Sequence, residues 1–360
     1  MKATKLTECI ARFPETDIWM DSFAPEHHAY AVEQGCVGVT TSPTWVAHMV
    51  EDEWESQKGA MAKLAAENPG ADERELLWRW TLQMGRERSR CMLPVWEKGD
   101  PRRGRFAIQV DVYQSRNAAR MVEMALEVSG LGPNMQVKIP CTKAGIEAME
   151  EATCQGVSVM ATLCFSLSQA VAAAEAVERG LERRRREQKS NEGINPVCAV
   201  LLGMQEEWLR AYADHCGLIL PPEAFTYAGE AICKRVYEIY RKRGFATRVL
   251  VAYYRHYRHW ASFMGGDLIM TIPYKWQKRF ERCDVPIEEN MSKPVPAPML
   301  AQLQRLEPFC RAWEEDGLLP EEFDRFGPVV QTLQYFQKSY DRAVLKMREV
   351  LLPDPLGETL

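Results

Sequence analysis

The chain has 360 residues, of which 46% are hydrophobic and 26% are charged, and its formal net charge is −5. This composition is typical of a globular protein and excludes an extensively disordered chain. The acidic total argues against nucleic acid as a partner, because domains that bind phosphate backbones are usually basic. No apolar run approaches the roughly 20 residues of a bilayer-spanning helix, so the sequence predicts no membrane partner either.

The sequence also predicts a cytoplasmic location. Residues 1–17 lack the long apolar core of a secretory signal peptide. The eleven cysteines are scattered along the chain, are odd in number and form no CxxC pair. This usage is typical of reduced thiols, and not of a disulfide framework or a zinc site.

Short β-rich runs alternate with longer helical patterns along the chain. The eight candidate strands are residues 18–21, 37–41, 106–111, 136–140, 157–163, 197–202, 248–253 and 268–272. Most of these runs are apolar throughout, which is typical of strands covered on both faces of a parallel sheet.

Helical patterns fill the intervals between the candidate strands. They cover residues 116–130, 142–155, 168–186 and 206–243, and the last is interrupted near Pro221 and Pro222. Thr142 is a candidate N-cap. The spacing of the strands is of the order of the 30 or so residues in a strand–helix–strand unit. Eight such strands predict an α/β fold of the (β/α)8, or TIM barrel, type. A doubly wound open sheet is the alternative, because periodicity does not distinguish the two.

Two further helical segments are additions to this pattern. One lies between strands two and three, at about 44–100, and the other is a carboxyl-terminal tail at about 276–349. We expect the whole chain, 1–360, to form a single barrel domain that carries these additions. They are candidates for a dimer surface or a lid, so a homo-oligomer is compatible with the sequence.

Lys138 stands within the apolar run QVKIP, near the carboxyl end of the fourth candidate strand. Because side chains alternate along a strand, its ammonium group points away from Val137 and Ile139, towards the interior or mouth of a barrel, where active sites lie. Burial there would lower the pKa of the amine, and a neutral amine attacks a carbonyl carbon to form a Schiff base. The alternative is a lysine that reaches solvent or pairs with an acid.

Other polar residues also stand in or at the ends of candidate strands. Asp21 could act as a general acid or base at a barrel mouth, or could cap the following helix. Gln109 shares a strand face with Asp111, and we expect one of the two to be a hydrogen-bonding core group and the other a cap. Thr162 is a small hydroxyl in an apolar strand, and its ordinary interpretation is a β-branched core residue.

Basic residues occur in two notable places. Arg255 follows the seventh candidate strand and could clamp a phosphate, or could lie solvated on a helix beside His256 and His259. The run RRRR at 183–186 is interpreted as a solvated helix end rather than a nucleic-acid contact, because cations favour helix carboxyl termini.

Four segments in this order resemble the transaldolase family of Schiff-base aldol enzymes: GVTTSPTWV, AIQVD, VKIPCTKAGIEAMEEATCQGVSVMATLCFS and VAYYR. The resemblance covers roughly residues 15–275. Its most specific part is the helix start VKIPCTKAG, followed by an apolar strand that ends in TLCFS. The family fold is a (β/α)8 barrel, which agrees with the number of candidate strands.

The resemblance implies a role for individual residues. Lys138 falls on the Schiff-base lysine, and Asp21 falls on the acid that handles the proton of a substrate hydroxyl. Thr162 falls on the threonine that positions the catalytic water, a task that Gln109 would share. Arg255 falls on a phosphate-binding arginine.

Other positions depart from the transaldolase pattern. Ser42 replaces the asparagine of a T-N-P motif, Gln109 replaces a glutamate and Met160 replaces an asparagine. Ala199 and Met204 stand where the family has a serine and a second phosphate-binding arginine. Gln109, Met160 and Ala199 resemble the fructose-6-phosphate aldolase branch of the same superfamily instead.

The resemblance implies transfer of a three-carbon dihydroxyacetone unit between sugars or sugar phosphates, a reaction of carbohydrate metabolism and the pentose phosphate pathway. The substrate-binding residues would be Ser42, Arg255, Met160 and Ala199. No metal or organic cofactor is implied, because the lysine amine supplies the electron sink. Two alternatives stay open: an aldolase or transaldolase for a specialised or unphosphorylated sugar, and a non-catalytic barrel that acts as a binding protein.

Overall fold

A closed ring of parallel strands forms the centre of the protein. The computed structural model describes residues 4–352. Within this range the strands follow one another around the ring in chain order, and β1 pairs with β8. The strands are β1 Asp17–Asp21, β2 Gly38–Thr40, β3 Arg105–Gln109, β4 Met135–Pro140, β5 Val159–Cys164, β6 Val197–Leu201, β7 Arg248–Ala252 and β8 Ile269–Pro273. The predicted (β/α)8 barrel is therefore confirmed, and the open sheet is excluded.

Helices connect the strands and cover the barrel. Those up to β5 are α1 Lys5–Arg12, α2 Pro25–Gln34, α3 Pro43–Asp52, α4 Trp54–Glu67, α5 Glu73–Arg88, α6 Leu93–Trp96, α7 Ala118–Ser129 and α8 Lys143–Cys154. Those after β5 are α9 Leu167–Arg186, α10 Leu202–His215, α11 Pro222–Phe225, α12 Ala228–Arg243, α13 Arg258–Ala261, α14 Tyr274–Arg282, α15 Ala297–Leu303, α16 Glu307–Trp313 and α17 Gly327–Leu351. Short 3-10 helices occupy Ser89–Met92, Val112–Gln114 and Pro320–Arg325.

Side-chain caps fix the starts of several of these helices. The hydroxyl of Thr142 accepts a hydrogen bond from the backbone N–H of Gly145 at 3.0 Å, which confirms the predicted cap of α8. The region 206–243, predicted as two helices, instead contains three, because a short helix begins at Pro222. The arginine run lies in the last turn of α9, where Arg183 pairs with Glu151 at 2.8 Å.

The amino-terminal end of the barrel is closed by charged and aromatic side chains. Asp17 is 2% exposed at its side chain and pairs with Arg103 at 2.9 Å and Arg248 at 2.7 Å. One level above, the ring of Trp19 fills the interior beside Gly38, where a β-carbon would come within 2.4 Å of the indole. These side chains fill the amino-terminal end of the barrel, and the active sites of such barrels lie at the opposite, carboxyl-terminal end.

The long helix α17 lies against α3, α4 and α5, which lie between β2 and β3. Arg342 bonds Glu51 of α3 at 2.8 Å, and Arg348 bonds Glu73 of α5 at the same distance. Asp341 accepts a hydrogen bond at 2.5 Å from the hydroxyl of Tyr113, which follows β3. The carboxyl-terminal helix therefore runs beside the mouth of the barrel.

All eleven cysteines are free. Within residues 4–352, none of the helices combines the length and the apolar character that a membrane crossing requires.

Candidate active site

Strand register brings the predicted polar residues to one end of the barrel. Gln109 of β3 is the register partner of Lys138 of β4, and Lys138 is in turn the partner of Met160 of β5. On the other side of the ring, Asp21 of β1 is the partner of Thr40 of β2. Asp21, Thr40 and Gln109 are the last residues of their strands, and Lys138 lies in the second half of β4, whereas Met160 is the second residue of β5.

Lys138 is buried, with 9% of its surface exposed. Its Nζ donates a hydrogen bond to the carbonyl oxygen of Thr41 at 2.8 Å. Thr41 is itself held by a hydrogen bond from its hydroxyl to the carbonyl of Ala107, also at 2.8 Å. Burial lowers the pKa of Lys138 to about 8, although the nearby charge of Asp21 opposes this shift. A larger fraction of this amine is neutral at physiological pH than in an ordinary lysine.

Asp21 lies at the mouth of the barrel in a chain of hydrogen bonds. Its Oδ1 accepts a hydrogen bond from the Thr40 hydroxyl at 2.8 Å, and that hydroxyl lies 2.6 Å from the hydroxyl of Thr271. Burial raises the pKa of Asp21, while Lys138, Thr40 and the indole of Trp45 favour the ionised form. The carboxyl group is thereby a stronger base than a solvated aspartate.

Three members of this arrangement were missed by the sequence reasoning: Thr40, Trp45 and Thr271. Side chains alternate along β2, so Thr40 faces away from Val39, and its direction could have been found from the sequence. Thr271 and Trp45 meet Asp21 only through the register of β8 with β1 and the docking of α3, for which the sequence carries no local signal.

Gln109 is a buried amide beside Lys138. Only 6% of its surface is exposed, and neither its Oε1 nor its Nε2 makes a hydrogen bond to a residue of the described chain. A buried amide without protein partners calls for a water or a ligand that satisfies it. Asp111 has a different task, because its carboxylate accepts a hydrogen bond at 2.9 Å from the backbone N–H of Tyr113. Asp111 is therefore the cap of the pair, and Gln109 has both amide atoms available for a ligand or water.

The other predicted site residues occupy less polar surroundings. Thr162 is 2% exposed and is the register partner of Pro140. Met160 and Ala199 are buried in β5 and β6, at 0% and 1% exposure. Ser42 caps α3 by accepting from the backbone N–H of Trp45 at 3.5 Å, so it fixes the helix that carries the indole beside Asp21.

Arg255 lies just beyond β7 and is exposed. Its Nε binds the carboxylate of Glu207, its Nη1 donates to the carbonyl of Tyr254 at 3.1 Å, and its guanidinium lies 4.9 Å from the ring centre of Tyr253. Tyr253 has a φ of 71°, a left-handed conformation that is unusual for a bulky residue. Among the contacts of the described chain, none joins Arg255 directly to Lys138.

Behind Arg255, Glu206 accepts hydrogen bonds from two histidines. Its carboxylate lies 3.0 Å from Nε2 of His256 and 2.7 Å from Nε2 of His259. Burial raises the pKa of Glu206, but these hydrogen bonds outweigh burial and leave it below its ordinary value. Burial lowers the pKa of His259, so this ring is neutral at physiological pH.

The side chains of Glu206, His256 and His259 are close enough to one another to hold a metal ion. However, Nδ1 of His259 accepts a hydrogen bond at 3.0 Å from the backbone N–H of Arg255. In a neutral imidazole the other nitrogen then carries the proton, so Nε2 donates to Glu206 and has no lone pair for a metal. We therefore interpret Glu206 and His259 as a hydrogen-bonded pair that positions the backbone of Arg255.

The pKa of Lys138 gives a pH dependence that can be measured. Only the neutral amine attacks a ketone, so Schiff-base formation is expected to rise with pH and to reach half its maximum near pH 8. The rate of borohydride-dependent labelling by dihydroxyacetone, followed between about pH 6 and pH 10, measures this directly. A midpoint near the value of a solvent-exposed lysine, about 10.4, would contradict the burial of the amine.

Gly203 allows α10 to approach the chain after β7. A β-carbon at this position would lie 2.5 Å from the carbonyl oxygen of Tyr253 and 2.7 Å from Cγ of Arg255. We expect Gly203→Ala to lower the free energy of unfolding by about 1–3 kcal/mol, because the backbone must shift. Gly59→Ala is the control, since nothing lies within 4 Å of that position in α4 and alanine there should stabilise by about 0.5–1 kcal/mol. Urea unfolding of both variants would show the difference in sign, and equal effects would contradict the close approach.

The closed barrel, with a buried lysine and a carboxylate at its carboxyl-terminal end, defines a (β/α)8 barrel protein with a polar site where this class carries its chemistry. A family model described as transaldolase/fructose-6-phosphate aldolase matches residues 18–318. The chain belongs to this family, which confirms the resemblance found in the sequence. The matched segment includes all the site residues from Asp21 to Thr271.

Individual relatives of the chain are named transaldolases. The chain is 29% identical over 208 residues to a transaldolase of Mycobacterium bovis (strain BCG / Pasteur 1173P2). The aligned segment covers 57% of this chain and 55% of the relative. The chain is 28% identical over 211 residues to a transaldolase of Kocuria rhizophila, or 58% and 56% of the two chains. It is 29% identical over 212 residues to a transaldolase 2 of Streptomyces avermitilis, again 58% and 56%. The chain thus spans about half the length of the curated relatives it matches.

Proposed function

We propose that this protein transfers a three-carbon dihydroxyacetone unit between sugar or sugar-phosphate substrates through a Schiff base on Lys138. The observation that carries the proposal is the buried amine of Lys138, whose pKa falls to about 8 while it faces the charge of Asp21. A neutral amine and a carboxylate within one site are the two groups that a Schiff-base aldol reaction requires. Family membership and the named relatives support the same activity.

The reaction begins when Nζ of Lys138 attacks the ketone carbon of a ketose. The ketone oxygen leaves as water, and the resulting iminium withdraws electrons from the neighbouring carbon. Asp21 then takes the proton from the C4 hydroxyl, the C3–C4 bond breaks, and its electron pair forms an enamine while the C4 fragment leaves as an aldehyde. The three-carbon enamine stays bound to Lys138.

The second half returns the enzyme to its starting state. The enamine carbon attacks the carbonyl carbon of a second aldehyde, and Asp21 gives its proton to the new hydroxyl. Water then hydrolyses the iminium, which releases a new ketose and the free amine. In this scheme Gln109 and Thr162 orient the water, and the unpartnered amide of Gln109 supports that role.

The remaining predicted residues act in substrate binding. We assign Met160 and Ala199 to the surroundings of Lys138, because Met160 is its register partner and Ala199 stands on β6, the next strand around the ring. Ser42 acts through the helix that presents Trp45 to Asp21. Arg255 lies at the rim, where it meets the far end of the substrate.

A second candidate is an aldolase that releases dihydroxyacetone by hydrolysis instead of transferring it. Gln109 favours this alternative, because a glutamine at this position resembles the fructose-6-phosphate aldolase branch of the family. A non-catalytic binding barrel is less well supported, since it gives no reason to bury an amine beside an acid at a cost in solvation.

We further propose that the chain is a single barrel domain, with α3–α6 and α14–α17 as additions, and that it works in the cytoplasm. The free state of all eleven thiols supports a reducing compartment.

Sodium borohydride with dihydroxyacetone or fructose 6-phosphate tests the proposal. Reduction should fix a three-carbon adduct on Lys138, which peptide mass spectrometry would locate. Transfer to an added aldehyde, compared with release of free dihydroxyacetone, separates the transaldolase from the aldolase. Absence of an adduct with every ketose would refute both and leave the binding protein.

A further inference from the structure

We propose that Glu207 sets the substrate class of this enzyme by neutralising Arg255, so that the preferred acceptor is an unphosphorylated hydroxyaldehyde. This inference rests on the proposed function and concerns the far end of the same site. It makes Glu207 a specificity-determining residue that the sequence alone does not reveal.

The position of Arg255 is the place where a phosphate would be expected. In (β/α)8 barrels, phosphate groups frequently bind at the loops that follow strands seven and eight. Arg255 stands three residues after the end of β7, and a phosphate there would need its guanidinium as a free bidentate donor.

The guanidinium of Arg255 is already engaged by the protein. Its Nε is bound to Glu207 and its Nη1 to the carbonyl of Tyr254, while the ring of Tyr253 packs against it. Glu207 belongs to the first turns of α10, and Gly203 brings that helix against the chain after β7. The ion pair is thus set by the close contact of two elements rather than by one mobile side chain.

The surroundings add negative rather than positive charge. Glu206 precedes Glu207 and is ionised, because its hydrogen bonds from His256 and His259 lower its pKa despite burial. Glu207 is therefore the carboxylate that pairs with Arg255, and the adjacent Glu206 is a second negative charge on the same helix. Met204, in the first turn of the same helix, is 4% exposed and supplies no charge.

The next arginine along the chain is also engaged. Arg258 bonds the buried carboxylate of Glu230 at 2.5 Å. Lys234 bonds the same carboxylate group at 3.0 Å and donates to the carbonyl of Asn290 at 2.9 Å. Both cations are thus engaged by Glu230, so neither compensates Glu206 and Glu207.

A phosphate bound by Arg255 would have to displace Glu207 from the guanidinium and remain beside this carboxylate. Like charges brought together in this way oppose binding. A terminal hydroxyl needs no such displacement, because it can donate to the carboxylate of Glu207 and accept from the guanidinium of Arg255. The charge pattern therefore selects a neutral polyhydroxy aldehyde.

The test compares two acceptors that differ only in the phosphate. The kcat/KM for transfer of the dihydroxyacetone unit is measured with glyceraldehyde and with glyceraldehyde 3-phosphate. We expect the wild-type protein to prefer glyceraldehyde by about tenfold or more. Glu207→Gln keeps the shape and removes the charge, so it should raise kcat/KM for the phosphorylated acceptor by about tenfold, through a lower KM.

Glu182→Gln is the matched control. Glu182 is 43% exposed at its side chain, against 41% for Glu207, and it also pairs with arginines, Arg185 at 2.9 Å and Arg186 at 3.1 Å. It lies on α9, so its variant should leave the acceptor preference unchanged.

Two results would overturn the proposal: a wild-type preference for glyceraldehyde 3-phosphate, or an acceptor preference in Glu207→Gln equal to that of the wild type. If Glu207→Gln does not fold, inhibition of the wild-type protein by inorganic phosphate tests the proposal instead. Inorganic phosphate that competes with glyceraldehyde at micromolar phosphate concentration would refute the neutralisation of Arg255 by Glu207. Failure of the proposed function looks different, because no borohydride adduct would then form on Lys138.

Discussion

Lys138→Met is expected to abolish sugar turnover and to prevent the borohydride adduct. Methionine roughly keeps the volume of lysine, so the packing beside Gln109 and Met160 should survive while the nucleophile is lost. Loss of a covalent nucleophile typically lowers kcat by about 10⁴-fold or more. Steady-state kinetics and intact mass after reduction would measure both effects.

Lys143→Met is the control for this variant. Lys143 is exposed on α8 and pairs with Glu321 at 3.2 Å, so its removal should leave turnover and labelling unchanged. Turnover retained by Lys138→Met, or an adduct mapped to another lysine, would show that the covalent chemistry lies elsewhere.

Asp21→Asn is expected to lower carbon–carbon bond cleavage by about 10²–10⁴-fold, the usual contribution of a general acid or base. Schiff-base formation with dihydroxyacetone should persist, because the amine of Lys138 remains. Asp21 raises the pKa of Lys138 against the effect of burial, so removing its charge should lower that pKa further below about 8. The midpoint of borohydride labelling should therefore move to lower pH.

Asp111→Asn is the control for Asp21→Asn. Asp111 is a buried acid that caps a turn, and asparagine serves as a cap equally well. Its variant should keep both cleavage and the labelling midpoint. An unchanged midpoint in Asp21→Asn would mean that the carboxylate does not act on Lys138.

The sequence carries most of the information about the fold. Strands buried on both faces must be apolar along their whole length, and this made the runs around Ile108 and Val137 recognisable without a partner. The inward direction of Lys138 followed from alternation, which needs only the strand itself. The break in the region 206–243 was less well predicted, since proline marks the interruption but does not say that a short helix begins at Pro222.

The surroundings of the site residues depend on contacts between distant segments. The sequence offers a solvated helix as one interpretation of Arg255, and it gives no signal that the neighbouring His259 is buried against Glu206. This contact requires α10 to approach the chain after β7 at Gly203, a distance that no local pattern encodes. No local pattern predicts the position of Thr271 either, because its hydroxyl meets that of Thr40 only through the register of β8 with β1.

The pairing of β1 with β8 has a consequence for the newly synthesised chain. While the ribosome is still making the later strands, β1 has one edge without a neighbour, and such edges promote aggregation. The relay from Thr271 through Thr40 to Asp21 cannot exist until β8 has emerged and docked. A truncated product that ends before residue 269 therefore contains both Lys138 and Asp21, yet it lacks the environment that would make them a reactive pair.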